Sequence, residues 1–276
     1  MVVGMVDPGT LGWSTLSGAG LLYKNRIGIR TALAWLGRKI LGRKIRIAVT
    51  GPAGVGKTVL VDALTPGRMD GRYKPPGQSD DVERRKQRVS KKRFEFIVLP
   101  GQDARKRVEG ENDILEKPVD GIIYAVCSGF ATFRDDVAKR QLVASGQDTL
   151  SAFREAQRRS DLDHLEHTTD YVRRMFVKHS KPTWMLVAVT KFDLLYAENA
   201  EVLDYYSPNG SSPFVDKMKA LHGLLGADVF AWSSIPVVSH PEEFSWNGTQ
   251  VQPQLSLADR AESVNHFFAR VERHCG

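Results

Sequence analysis

A glycine-rich octapeptide between an apolar segment and a helical segment constrains this chain more than any other feature. Residues 51–58 read GPAGVGKT and fit the pattern G-x-x-x-x-G-K-[ST]. The β-branched residues 45–49 before it predict a buried strand, and residues 57–64 after it predict a helix. Glycines let the backbone N–H groups of such a turn converge on one anion, and the helix start adds the positive end of its dipole. The octapeptide therefore predicts a polyphosphate site on a strand–loop–helix unit.

Apolar strand segments alternate with helical segments through the rest of the chain. This alternation predicts an α/β fold with three layers, in which helices cover both faces of a mostly parallel sheet of about six strands. Asn247-Gly248, between alternating apolar and polar residues, predicts a hairpin over 244–251. The remaining predicted strands are 82–90, 94–99, 121–126, 184–189 and 229–232, and the remaining predicted helices are 134–144, 149–158, 162–179, 214–225 and 257–273.

The net charge of +7 is concentrated at the start of the chain. Residues 1–46 hold eight Lys and Arg against one acidic residue, Asp7, and the remaining residues balance. Ile29, Leu33, Leu36 and Ile40 recur at helical spacing, so residues 1–43 predict a flexible leader with a basic amphipathic helix before a domain at 44–276. Such a helix suits an anionic membrane surface or a partner protein, and it can equally pack on its own domain. The neutral body makes nucleic acid an unlikely partner.

Three observations favour a cytoplasmic protein. No run of apolar residues reaches the length of a membrane-spanning helix, and the first twenty residues lack the pattern of a secretory signal. The two cysteines, Cys127 and Cys275, are too few for a disulfide framework. We therefore expect a cytoplasmic chain, peripheral to a membrane if the leader binds one.

A second motif indicates which nucleotide the phosphate loop serves. Thr190-Lys191-Phe192-Asp193 follows the predicted strand 184–189. With the phosphate loop, it makes the chain resemble the Ras-like and Arf-like small GTPases, a superfamily of P-loop GTPases with an N/T-K-x-D element at this place. The resemblance implies a P-loop GTPase-like sandwich over about residues 45–276, with inserted segments around 134–160 and 239–255.

The resemblance also assigns roles to residues on both sides of the nucleotide. Asp193 would accept hydrogen bonds from guanine, and Lys191 would stack its stem on the base. Ser233 and Ser234, after the predicted strand 229–232, stand where the family contacts the guanine oxygen. The residues expected to bind GTP or GDP are Gly51, Ala53, Gly54, Val55, Gly56, Lys57, Thr58, Val59, Gly101, Thr190, Lys191, Asp193, Ser233 and Ser234, with Thr58 also binding Mg²⁺.

The residues at the two switch elements of the family match its pattern only in part. Gly101 and Gln102 match the glycine and the water-orienting glutamine of D-x-x-G-Q, but Val98 stands where the family has its aspartate. No threonine lies between Pro66 and Phe94, where the family has its second hydroxyl ligand for Mg²⁺. The basic residues at 84–93 are either a solvated edge strand or a source of an arginine for the phosphates.

Three functions fit these residues. The first is a slow GTPase that acts as a nucleotide-dependent switch and recruits a protein effector, with Lys57 and Gln102 catalytic. The second is a pseudo-GTPase that holds nucleotide and serves as an interaction module. The third is an ATP-binding P-loop protein in which the TKFD sequence is accidental.

Overall fold

The computed structural model describes residues 44–65, 73–76, 81–89, 92–101, 104–133 and 135–275. The predicted leader 1–43 and Gln102 lie outside these residues. Within them, six strands form one sheet in the order β2-β3-β1-β4-β5-β6, and all neighbours are parallel except the antiparallel pair β2 and β3. The strands are β1 (Lys44–Thr50), β2 (Glu83–Val89), β3 (Lys92–Val98), β4 (Gly121–Val126), β5 (Trp184–Val189) and β6 (Ala231–Pro236), and a separate hairpin pairs β7 (Phe244–Trp246) with β8 (Thr249–Val251).

Helices cover both faces of the sheet and divide the core into two apolar clusters. On one face, Ile47 and Val49 of β1 pack with Leu60 and Phe267 from two helices. On the other face, Ile122 of β4 packs with residues from four helices. The first face is covered by α1 (Lys57–Leu64) and α7 (Leu257–His274), and the second by α2 (Ala104–Glu116), α4 (Leu150–His179), α5 (Asn199–Tyr206) and α6 (Pro213–Leu225), while α3 (Asp136–Ala144) precedes α4.

The three-layer, mostly parallel architecture predicted for a P-loop GTPase-like fold is confirmed. The predicted bounds of α1, β4 and β5 are those observed. Asn247 and Gly248 both have positive φ, 44° and 85°, as a tight two-residue hairpin turn requires. Because parallel strands end at one edge, the chain segments that follow β1, β3, β4 and β5 lie together there.

Some predicted elements were wrong. Helix α4 (Leu150–His179) is one continuous helix, where two helices were predicted over 149–158 and 162–179. The last strand of the sheet is β6 at Ala231–Pro236 rather than 229–232. Helices α2 and α5 were not predicted at all.

No helix in the described part of the chain is both long enough and apolar enough to span a membrane.

Candidate nucleotide-binding site

The loop between β1 and α1 has the backbone that a phosphate cradle needs. Gly54 has φ 74°, and a Cβ there would lie 2.4 Å from the carbonyl oxygen of Thr132. Gly51 has φ 140°, and a Cβ there would lie 2.2 Å from the carbonyl oxygen of Ala125. Both positions therefore require glycine, because a side chain would be strained and would also clash with neighbouring backbone. The loop is fixed against the segment after β4 and leads directly into α1.

Lys57, the first residue of α1, folds over this loop. Its side chain is buried, with 8% of the residue exposed, and Nζ donates to the carbonyl oxygens of Gly51 at 2.8 Å and Pro52 at 2.7 Å. Burial, together with the positive charge of Arg107, lowers the pKa of Lys57 to about 7. In the described part of the chain, the hydrogen bonds of this ammonium go to carbonyl oxygens and not to a carboxylate, so the group suits an anionic ligand.

Thr58 and Gly101 form the next part of the site. The buried hydroxyl of Thr58 lies 3.4 Å from Oε1 of Glu83, a residue that sequence reasoning missed. A Cβ on Gly101 would lie 2.6 Å from the backbone nitrogen of Ala53 and 2.8 Å from Nζ of Lys57. Gly101 therefore touches the phosphate loop, while Val98, at the end of β3, is buried in the core with 1% exposed.

The TKFD turn is hydrogen-bonded to the same loop. The hydroxyl of Thr190 lies 2.6 Å from the carbonyl oxygen of Val55 and 2.9 Å from that of Val126, and it shares its one proton between these two acceptors. Lys191, with φ 53°, donates from Nζ to the carbonyl oxygen of Phe130 at 2.7 Å and to the hydroxyl of Thr132. These contacts hold the turn after β5 at a fixed position relative to the phosphate loop.

Asp193 is buried with unsatisfied acceptors. It is 1% exposed, and among the described residues no donor makes a well-formed hydrogen bond to either carboxylate oxygen. Desolvation raises the pKa of Asp193 to about 6, although the backbone amides of Asp193 and Leu194 and the charge of Lys191 partly oppose it. A buried carboxylate of this kind matches a ligand that offers two neighbouring N–H donors, such as the N1 and N2 edge of guanine.

A cavity of about 230 Å³ connects the phosphate loop to Lys191. Asp193 is not among the residues that line it, whereas Lys191 of the same turn is. The lining residues are Ala53, Gly54, Gly56, Lys57, Thr58, Val59, Pro75, Pro76, Val98, Leu99, Gly101, Thr132, Phe133, Asp135, Ala138, Lys191 and Glu242.

The placement predicted for Ser233 and Ser234 was wrong. Both lie inside β6, where they pair with Leu186 and Val187 of β5. The hydroxyl of Ser233 lies 3.2 Å from Nε2 of His274, in the part of the sheet remote from the phosphate loop. The prediction failed because it ended the strand four residues too early, at Trp232.

The loop after β6 instead runs over 237–243 and begins with Val237, Val238 and Ser239. Val237 donates its backbone N–H to the carbonyl oxygen of Val189 at 2.8 Å, which places this loop beside Thr190. The hydroxyl of Ser239 is buried and has no hydrogen-bond partner among the described residues. Ending β6 at Pro236, the residue that cannot donate to a further strand, would have indicated this loop from the sequence.

Comparison with known proteins gives distant likenesses of fold. No protein-family model matches the chain, and no curated protein matches it. The Arl6 (BBS3) small GTPase of Trypanosoma brucei, solved with the nucleotide analogue GppNp, is 12% identical, with 84% of this chain and 96% of that chain covered and a TM-score of 0.46. The G domain of the T. maritima FeoB iron transporter is 13% identical, with 85% and 100% covered and a TM-score of 0.40. The bacterial selenocysteine-specific elongation factor EF-Sec is 18% identical, with 71% and 25% covered and a TM-score of 0.39.

Proposed function

We propose that this chain binds GTP or GDP, with the phosphates on the loop after β1 and the base on the TKFD turn. The observation that carries the proposal is Asp193, a buried carboxylate with two unsatisfied oxygens on a turn that Thr190 ties to the phosphate loop. Adenine lacks the pair of neighbouring donors that guanine presents, so this carboxylate favours guanine over adenine. The residues assigned to the phosphates are Gly51, Ala53, Gly54, Val55, Gly56, Lys57, Thr58, Val59 and Gly101.

Hydrolysis would proceed slowly on this chain. Lys57 would exchange its two loop carbonyls for phosphate oxygens and neutralise the charge that grows during phosphoryl transfer. Thr58 would hold Mg²⁺, which supplies further charge neutralisation on the phosphates when bound. Gln102 would orient the attacking water. Since Val98 offers no carboxylate, we expect turnover without a partner to be slow.

The proposed biological role is a switch that recruits a protein partner in one nucleotide state. Gly101 lies against Ala53 and Lys57, so a γ-phosphate on the loop would press on the segment that follows β3. The leader, which carries the excess positive charge, is assigned to an anionic membrane surface or to the partner. Removing residues 1–43 should therefore lower partition onto anionic vesicles and leave partition onto neutral vesicles unchanged, and equal partition of the full and shortened chains excludes the membrane assignment.

A second candidate, an interaction module that holds nucleotide without turning it over, is favoured by the buried Val98. Two measurements separate the candidates. Chromatography of the nucleotide released on denaturation should show GDP or GTP, and the release of ATP or ADP would contradict guanine specificity. Phosphate release from added GTP above the buffer rate supports the enzyme, whereas nucleotide binding without release supports the module.

A further inference from the structure

The missing aspartate of the D-x-x-G element leaves β3 without a carboxylate at the phosphate site. Val98 occupies its position with a buried apolar side chain. Mg²⁺ in phosphate sites is held through one or two carboxylates together with phosphate oxygens and waters. Within the described residues, no group of three or more His, Cys, Asp or Glu side chains could bind a metal by itself. A carboxylate for Mg²⁺ beside Thr58 would therefore have to come from another element.

The register of β2 against β3 supplies one. Glu83, the first residue of β2, is directly opposite Val98 in the antiparallel pair. Side chains of opposite residues leave the sheet on the same face, and Val98 faces the cluster that contains α1. The side chain of Glu83 thus reaches the start of α1, where Oε1 lies 3.4 Å from the hydroxyl of Thr58.

The second oxygen of Glu83 is held by Arg85. Arg85 lies two residues along β2, on the same face, and its Nη2 is 2.6 Å from Oε2 of Glu83. Its Nε also donates to Oδ1 of Asp62 at 3.2 Å. Because one oxygen of Glu83 pairs with Arg85, the other stays directed at Thr58.

Asp62 is a second carboxylate near this end of the site, and its side chain is more deeply buried than that of the partly buried Glu83. Its Oδ1 accepts from Arg85, and its Oδ2 accepts from the hydroxyl of Tyr73 at 3.1 Å. Both of its oxygens are engaged with donors, whereas Oε1 of Glu83 contacts the hydroxyl expected to bind the metal. Asp135 and Glu242 line the cavity as well, but the hydroxyl of Thr58 contacts Glu83, and this contact favours Glu83.

We propose that Glu83 supplies, from the neighbouring strand, the carboxylate for nucleotide-bound Mg²⁺ that Val98 cannot supply. The inference rests on the proposed guanine-nucleotide site and identifies a residue that the D-x-x-G pattern does not point to. A carboxylate at this position would let the chain bind Mg²⁺ without the usual aspartate. A purely structural ion pair between Glu83 and Arg85 would instead affect folding and nucleotide binding whether or not Mg²⁺ is present.

The test compares release of a fluorescent GDP analogue from the full-length protein in Mg²⁺ and in EDTA. For the wild type, release should be slower in Mg²⁺ than in EDTA. In Glu83→Gln, the Mg²⁺ concentration that gives half of this effect should rise by about tenfold or more, as for the loss of a partner in other metal sites. Release in EDTA should stay close to the wild-type rate, which also reports that the variant is folded.

Glu109→Gln is the matched control, because it removes the same charge from an exposed position on α2 and should behave as wild type. Glu83→Asp retains the charge and should give a smaller loss of Mg²⁺ affinity than Glu83→Gln. An unchanged Mg²⁺ dependence in Glu83→Gln overturns the assignment of Glu83, as does an equal acceleration of release in Mg²⁺ and EDTA. If the wild type binds no guanine nucleotide even in EDTA, the proposed function itself fails, and this outcome is distinct from the other two.

Discussion

Two side chains at opposite ends of the candidate site have pKa values that burial moves toward neutrality. The pKa of Lys57 falls to about 7 and that of Asp193 rises to about 6. Lys57 must be protonated to bind a polyphosphate, and Asp193 must be ionised to accept two N–H groups from guanine. In the free protein, both side chains are charged together only between about pH 6 and pH 7.

The affinity for GDP should therefore have a maximum near neutral pH. Bound phosphate raises the pKa of Lys57, so the contribution of Lys57 is complete below about pH 7 and is lost as the pH rises through its value in the complex. Bound guanine lowers the pKa of Asp193, so the contribution of Asp193 is complete above about pH 6 and is lost as the pH falls. Fluorescence titrations across this range measure the profile. In Asp193→Asn, the phosphates of the nucleotide still titrate, but the fall in GDP affinity at acidic pH should disappear. If the affinity of this variant falls at acidic pH as it does in the wild type, the role of Asp193 is contradicted.

Replacing Lys57 should affect nucleotide affinity and thermal stability differently. Lys57→Ala removes a charged donor from the phosphates and should weaken GTP binding by about 3 kcal/mol, roughly a hundredfold. Because the ammonium is buried without a carboxylate, the same change should leave the thermal midpoint unchanged or raise it. Lys178→Ala, on the exposed surface of α4, is the control for loss of a lysine. Retained GTP affinity in Lys57→Ala would falsify the phosphate role, and a large fall in thermal stability would assign Lys57 to the fold.

Helix α4 is an element whose length the sequence pattern did not predict correctly. The predicted helices 149–158 and 162–179 left a gap at 159–161, yet Asp161 and His164 are buried in one continuous helix against β4. The hydroxyl of Tyr124 donates to the carbonyl oxygen of Asp161 at 3.1 Å and lies 3.1 Å from Nδ1 of His164. Polar residues in a sequence indicate exposure, and the partners that bury them here lie about forty positions away.

Asp161 should destabilise the protein as the pH rises. Burial raises its pKa to about 8, and Oδ2 has no hydrogen-bond partner among the described residues. The unfolded chain ionises this group near its ordinary value of 3.8 while the folded chain retains the proton, so stability falls between these values. Urea unfolding should show Asp161→Asn more stable than wild type by about 2 kcal/mol or more near pH 8, with little difference near pH 4. The exposed Asp163→Asn should show no such trend, and an equal gain at both pH values would contradict a buried neutral Asp161.

At the scale of the whole molecule, the sequence predicted those features that depend on residues close together in the chain. The phosphate loop, the TKFD turn and the six-stranded, mostly parallel sheet are local or periodic patterns, and the structure has the loop, the turn and the sheet where they were expected. Pairings between distant segments could not be predicted. The register that sets Glu83 against Val98 and the register that puts Ser233 inside β6 are properties of the assembled sheet. The division at residue 43 and the role of Gln102 stay predictions.

Competition for the site tests the central claim most directly. A fluorescent GTP analogue bound to the wild type should be displaced by GTP at a concentration about a hundredfold or more below that needed for ATP, because a buried carboxylate left without its donors is costly. Asp193→Asn should lose this discrimination while still binding triphosphate. Displacement by GTP and ATP at equal concentrations in the wild type would contradict a guanine site on the loop after β5, and no binding of either nucleotide would contradict the phosphate cradle as well.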